Sequence, residues 1–121
     1  MRQAKGDFPV VLEGPGAKLR SVKWGGMTAA FNTVEKGTDF TPAFKGLKDD
    51  MCQCPHWGYV LKGALFLRYK DGQEEVARAG DLWYSPPGHT AWVEEDTEFI
   101  DFSPPDQLDE VLNHVKKQMG G

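Results

Sequence analysis

Apolar and polar residues alternate with a period of two along most of this chain, in short runs interrupted by glycine, proline and acidic turns. The runs cover residues 17–24, 27–34, 57–62, 64–69, 74–77, 81–85, 90–93 and 97–102. That period sends alternate side chains to opposite faces of an extended backbone, so each run predicts a strand with one face turned to a core. Gly25-Gly26, Lys36-Gly37, Lys62-Gly63, Ala79-Gly80, Pro86-Pro87-Gly88 and Glu95-Asp96 break the runs. Short strands separated by turn signals at this spacing predict a sandwich or a barrel. Asp71-Gly72 marks the clearest hairpin, because Asp-Gly accepts the positive φ of a tight connection.

The period changes after residue 104. Leu108, Val111, Leu112, Val115 and Met119 recur at helical intervals with Asp, Glu and Lys between them, which predicts one amphipathic helix. Asp109 and Glu110 near its start, and Lys116 and Lys117 near its end, suit the helix dipole. Ser103 or Asp106 is the expected cap. His114 falls on the polar side and reads as a surface residue. Residues 1–16 are weakly patterned and read as an extended arm. The organisation is thus an arm at 1–16, a β-barrel at 17–104, and a helix with a tail at 105–121.

Composition narrows the function. The 121 residues carry 18 Asp and Glu against 14 Lys and Arg, a net charge of −4, and the basic residues are scattered among acids. A nucleic-acid binder needs a basic face, and none is predicted. No apolar run approaches the ~20 residues of a membrane-spanning helix. The first residues lack the hydrophobic core of a secretory signal, so a cytoplasmic protein with reduced thiols is expected. Phosphate loops, nucleophile elbows and dinucleotide fingerprints are missing. Exposed sheet edges predict a homodimer, with the arm and the C-terminal helix as its expected contacts.

The chemistry concentrates in one stretch. Both cysteines and one of three histidines lie within Cys52-Gln53-Cys54-Pro55-His56. A spacing of two places Cys52, Cys54 and His56 on one face if the segment is extended. Thiolate and imidazole ligands favour a transition metal over magnesium or calcium. Against this stands the plainer reading of two buried, inert core cysteines. Pro55 interrupts the regular strand and is expected to tip one cysteine out of line. Asp50 is a possible oxygen ligand or brace, and Arg68 is expected to face solvent. Glu94, Glu95, Asp96 and Glu98 read as a solvated turn.

Two short segments stand out, Tyr59-Val60-Leu61-Lys62-Gly63 and Gly80-Asp81 through Pro86-Pro87-Gly88. They resemble the end of the first motif and the second motif of the cupins, and the resemblance runs from about Asp50 to Pro104. The resemblance implies an all-β double-stranded β-helix, the cupin jelly-roll barrel, here followed by a C-terminal α-helix. The ligand positions depart from the family's pattern. His56 stands where the family has its glutamate, the paired-histidine positions fall near Asp50 and Cys52, and Ala91 replaces the last histidine while His89 lies two residues earlier. His89 shares strand parity with Ala91, so the resemblance implies a rewritten metal set of Cys52, Cys54, His56 and His89.

Zinc suits four such ligands as a closed tetrahedral site, whereas loss of one cysteine leaves an open position and lets iron or nickel compete. Most inward aromatics of a small barrel are core, yet Trp83, Tyr84 and Trp92 flank His89 in sequence and are the candidate wall of a small-molecule pocket. Two functions remain open. One is a metal-dependent enzyme of dioxygenase, isomerase or lyase type acting on a small organic molecule. The other is a non-catalytic ligand-binding or sensing barrel whose metal is structural or absent. An open coordination position facing a pocket separates the first from the second.

Overall fold

The computed structural model describes residues 1–119 of the chain. Nine strands and one α-helix follow in order: β1 (Val10–Gly14), β2 (Ala17–Trp24), β3 (Met27–Val34), β4 (His56–Lys62), β5 (Ala64–Tyr69), β6 (Glu74–Arg78), β7 (Leu82–Ser85), β8 (His89–Trp92), β9 (Thr97–Ser103) and α1 (Pro105–Gln118). Single 3₁₀ turns at Lys5–Asp7, Thr41–Phe44 and Lys48–Asp50 complete the chain. The strands form a six-stranded sheet, β1-β2-β3-β9-β4-β7, and a three-stranded sheet, β6-β5-β8.

Alternation along the strands fixes what faces inward. On β9 the buried residues are Thr97, Phe99, Asp101 and Ser103, at every second position. On β4 they are Gly58 and Val60, with Trp57, Tyr59 and Leu61 on the opposite face. Val34, Val60, Leu65, Leu67, Val93 and Phe99 meet between the two sheets as the barrel core. A second apolar cluster joins Phe44, Cys52 and Cys54 to Leu108, Val111 and Val115 of α1. The helix therefore plugs one end of the barrel with its apolar stripe.

Two local predictions need amendment. Ser103 does not cap α1: the N-cap is Pro104, without a side-chain hydrogen bond, and proline in the first turn sets the helical φ instead. The arm contains strand β1, which pairs antiparallel with β2 of the same chain. Its irregular register between Val10 and Leu12 spoils the alternation by which a strand is read in sequence. The hairpin at Asp71-Gly72 joins β5 to β6, with Gly72 at φ 86°. Gly120 and Gly121, at the end of the expected tail, lie outside the described residues.

Candidate metal centre

Three side chains converge where the two sheets meet at the helical end. Cys52, His56 and His89 each offer a ligand atom, and these atoms all lie within 4.8 Å of one another. His56 opens β4 in the larger sheet, and His89 opens β8 in the smaller one. Cys52 lies outside the strands but forms an antiparallel bridge with His89. The two residues exchange both backbone hydrogen bonds, Cys52 N to His89 O at 2.8 Å and His89 N to Cys52 O at 3.2 Å. Directly opposed residues in an antiparallel pair show their side chains to the same face. That bridge, rather than a continuous strand through Pro55, delivers the thiol.

Cys54 goes elsewhere. It is fully buried, packs in the cluster under α1, and its thiol points to the Pro55 carbonyl at 3.4 Å. Pro55 breaks the extended spacing on which a shared face depends, so the expected fourth ligand is outside the group of three.

Both imidazoles are oriented. His89 Nδ1 lies 2.8 Å from the Pro86 carbonyl oxygen, which only accepts, so Nδ1 carries the proton and a neutral ring keeps its lone pair on Nε2. His56 Nδ1 lies 2.7 Å from Ser103 Oγ and 3.7 Å from Asp101 Oδ2, while its Nε2 lies 3.6 Å from Cys52 Sγ. Burial holds both rings neutral: it lowers the His56 pKa to about 3, with His89 adding to the effect, and lowers that of His89. Burial likewise pushes the Cys52 thiol up to about 12 and the Asp101 carboxyl to about 7, the latter against a hydrogen bond donated by Asn32.

One pair of donors has the separation that a tetrahedral cation requires, and all three lie within 4.8 Å of one another. Bonds of about 2.3 Å to sulfur and about 2.0 Å to nitrogen separate neighbouring donors by roughly 3.5 Å. The Cys52–His56 separation is 3.6 Å. Histidines whose second nitrogen is already held are the usual form of metal ligands. In the sequence Ser103 stands out only as a helix cap, and Asp101 does not stand out at all. Their signal is inward parity on the strand beside β4: Asp101 pairs with Gly58, and Ser103 lies one step beyond the Trp57–Phe102 pair, level with His56.

The three residues form one wall of a cavity of about 130 Å³. Leu65, Leu67, Trp83, Ala91 and Phe99 supply much of the remainder, with Ser85, Asn32 and Asp101 as polar members. Trp83 is the one aromatic of the three expected there that reaches it. Tyr84 follows Trp83 on β7 and therefore faces outward, against Trp57 at 5.2 Å between ring centroids. Trp92 stacks on Phe66 outside the cavity, with Arg68 5.0 Å above its ring. Arg68 itself pairs with Glu74 at the surface. Asp50 accepts a hydrogen bond from Gly46 N in an exposed turn and takes no part in the site.

No family model and no curated protein matches the chain. Solved structures do. An RmlC-like cupin from Shewanella frigidimarina superposes with a TM-score of 0.62 at 21% identity, over 84% of this chain and 88% of that one. The chain has the cupin fold. Ectoine synthase from P. lautus gives a TM-score of 0.64 at 10% identity, covering 87% of this chain and 78% of its own. The FeII form of HppE gives 0.61 at 10% identity, over 85% of this chain and 59% of that one. No helix among the described residues is long and apolar enough to cross a membrane.

Proposed function

We propose that this cupin is a metal-dependent enzyme acting on a small organic molecule, with Cys52, His56 and His89 as the metal ligands. One observation carries the reading: the ligand group has three members, not four, and it lines a cavity. Three protein ligands are the pattern of a catalytic site with a free position, whereas a structural zinc site is closed by four. The exclusion of Cys54 thus favours an enzyme over a purely structural metal. The similar fold of HppE, solved with FeII, supports a redox-capable ion as well as zinc.

When bound, a divalent ion supplies Lewis-acid polarisation and a template for an oxygen of the substrate. The chain does the rest. His56 holds its Nε2 towards Cys52 while Ser103 fixes its other nitrogen, and the Pro86 carbonyl leaves the Nε2 lone pair of His89 free to ligate. Leu67, Trp83 and Phe99 exclude water from the reacting face. Reactions of isomerase, lyase or dioxygenase type suit such a site.

Metal analysis of untagged protein tests the assignment. The wild type and Cys54→Ala are expected to hold one transition-metal ion per chain, whereas Cys52→Ala and His89→Ala are expected to lose it. With cobalt(II), a sulfur-to-metal charge-transfer band should appear in the first two proteins alone. A wild type without stoichiometric metal, or equal loss in Cys54→Ala, would sink the reading.

A further inference from the structure

We infer that Ser85 binds the oxygen by which the substrate meets the ion, so that the substrate presents a carbonyl or carboxylate group there rather than a nitrogen. The inference rests on the reading above that Cys52, His56 and His89 hold a catalytic ion, and it names what the free position takes.

Ser85 ends β7 and pairs in register with His56, the first residue of β4. Directly opposed residues of an antiparallel pair show their side chains to the same face. The serine therefore stands beside a ligand imidazole on the cavity wall. It is fully buried, and its hydroxyl has no partner in the protein. Among the described residues three buried side-chain polar atoms lack a partner, and two of them, Ser85 Oγ and Trp83 Nε1, belong to residues that line this cavity. Trp83 lies two positions earlier on β7 and so shares its face. Buried polar groups are rarely left unpaired, and two orphans in one wall point to a guest that satisfies them.

The other polar groups of the wall are engaged already. Asn32 Nδ2 donates to Asp101 Oδ1 at 3.3 Å, Asp101 Oδ2 lies 3.7 Å from His56 Nδ1, and His89 Nδ1 donates to the Pro86 carbonyl. Ser85 carries the one hydroxyl among the described residues lining the cavity, whose body is hydrocarbon from Leu65, Leu67 and Phe99. A nitrogen ligand spends its single lone pair on the ion and has none left to accept with. A carbonyl or carboxylate oxygen keeps a second lone pair, which accepts from Ser85 while the first binds the ion. Charge that builds on this oxygen during reaction strengthens the hydrogen bond, so Ser85 favours the reacting form over the resting one.

Cobalt(II)-loaded protein titrated with acetohydroxamate and, separately, with imidazole tests this, each followed through the visible absorption of the ion. Ser85→Ala is expected to bind acetohydroxamate about tenfold more weakly than the wild type, the worth of one hydrogen bond to a charged group, and to bind imidazole equally well. Its cobalt content should match the wild type. Metal-free Ser85→Ala should melt at or above the wild-type temperature, because a buried hydroxyl without a partner costs the native state its hydration. A hydroxyl with a purely structural role would instead lower that temperature and leave both affinities alone. Equal acetohydroxamate affinity in the two proteins, a parallel loss for imidazole, or a clearly lower melting temperature would overturn the inference. Failure of the metal reading shows separately and earlier: the wild type then lacks the sulfur-to-cobalt band before any probe is added, and the role of Ser85 falls with it.

Discussion

Ser103 holds a position that its sequence context disguises. Preceding Pro104 and a helical pattern, it reads as a helix cap, yet its hydroxyl lies 2.7 Å from His56 Nδ1. A hydroxyl can accept from Nδ1–H, which leaves Nε2 free to ligate and fixes the ring against rotation. Ser103→Ala is therefore expected to lower metal affinity by about tenfold, in the range seen when a ligand histidine loses its brace. Competition against a chromogenic chelator measures it. Unchanged affinity would mean that Asp101, at 3.7 Å, or packing alone orients the ring. At this scale the sequence was legible for His56 and His89, whose types and strand parity speak for themselves. It was misleading for Cys54, because alternation holds only while the backbone stays extended and Pro55 ends that. Ser103, Asp101 and Ser85 were illegible because a serine or aspartate on a strand acquires meaning only from the strand beside it.

The elements carry the same lesson with larger energies. Strand and helix periods were plain wherever one face is buried, which is why eight strands and α1 could be read off their alternation. Strand β1 escaped because an irregularity interrupts it. What alternation could not show is a close approach between strands, such as that of β4 and β7. The Trp83 ring lies over Gly58, so close that a Cβ there would stand 2.1 Å from a ring carbon. Glycine at 58 is thus the condition for Trp83 to reach the cavity. Gly58→Ala is expected to displace the indole and to destabilise the fold by about 1–3 kcal/mol, the usual cost of overpacking. Denaturant unfolding followed by tryptophan fluorescence reads both effects, and wild-type stability with an unshifted emission maximum would contradict the packing. At the barrel end, Leu108 is 5% exposed and packs in the cluster that buries both cysteines. Leu108→Ala should cost about 2–5 kcal/mol by opening a hole there. Hydrogen exchange should then rise in residues 50–56 before it rises in β3 or β9, since the thiol-bearing segment leans on α1. Uniform loss of protection would deny that dependence.

Across the whole molecule, the ligand group spans the two sheets, which also meet through the apolar core and through the Thr97 hydroxyl on the Ala64 backbone. His56 belongs to the larger sheet, His89 to the smaller, and Cys52 is bridged to His89 from the loop between β3 and β4. An ion bound there ties the two sheets to each other, and an unfolded chain, with its ligands dispersed, has no equivalent site. Binding to the native state alone adds RT ln(1 + [M]/Kd) to stability, about 2.7 kcal/mol at a hundredfold excess over Kd. For a domain of this size each kcal/mol moves the melting temperature by roughly 4 °C. Chelation is therefore expected to lower Tm by about 10 °C in the wild type, and re-addition of metal to restore it. Cys54→Ala should show the same drop from a slightly lower starting value, because its sulfur contributes packing and not ligation. Cys52→Ala should melt at one temperature with or without chelator. The sign follows from where the proton resides: in the metal-free fold Cys52 is held as a thiol by burial, up to about 12, so metal must displace that proton and binds more tightly as pH rises. The chelator-dependent gap in Tm should consequently widen from pH 6 to pH 8. A gap that narrows over that interval, or that survives in Cys52→Ala, would show that the ion sits elsewhere and that the two sheets hold together without it.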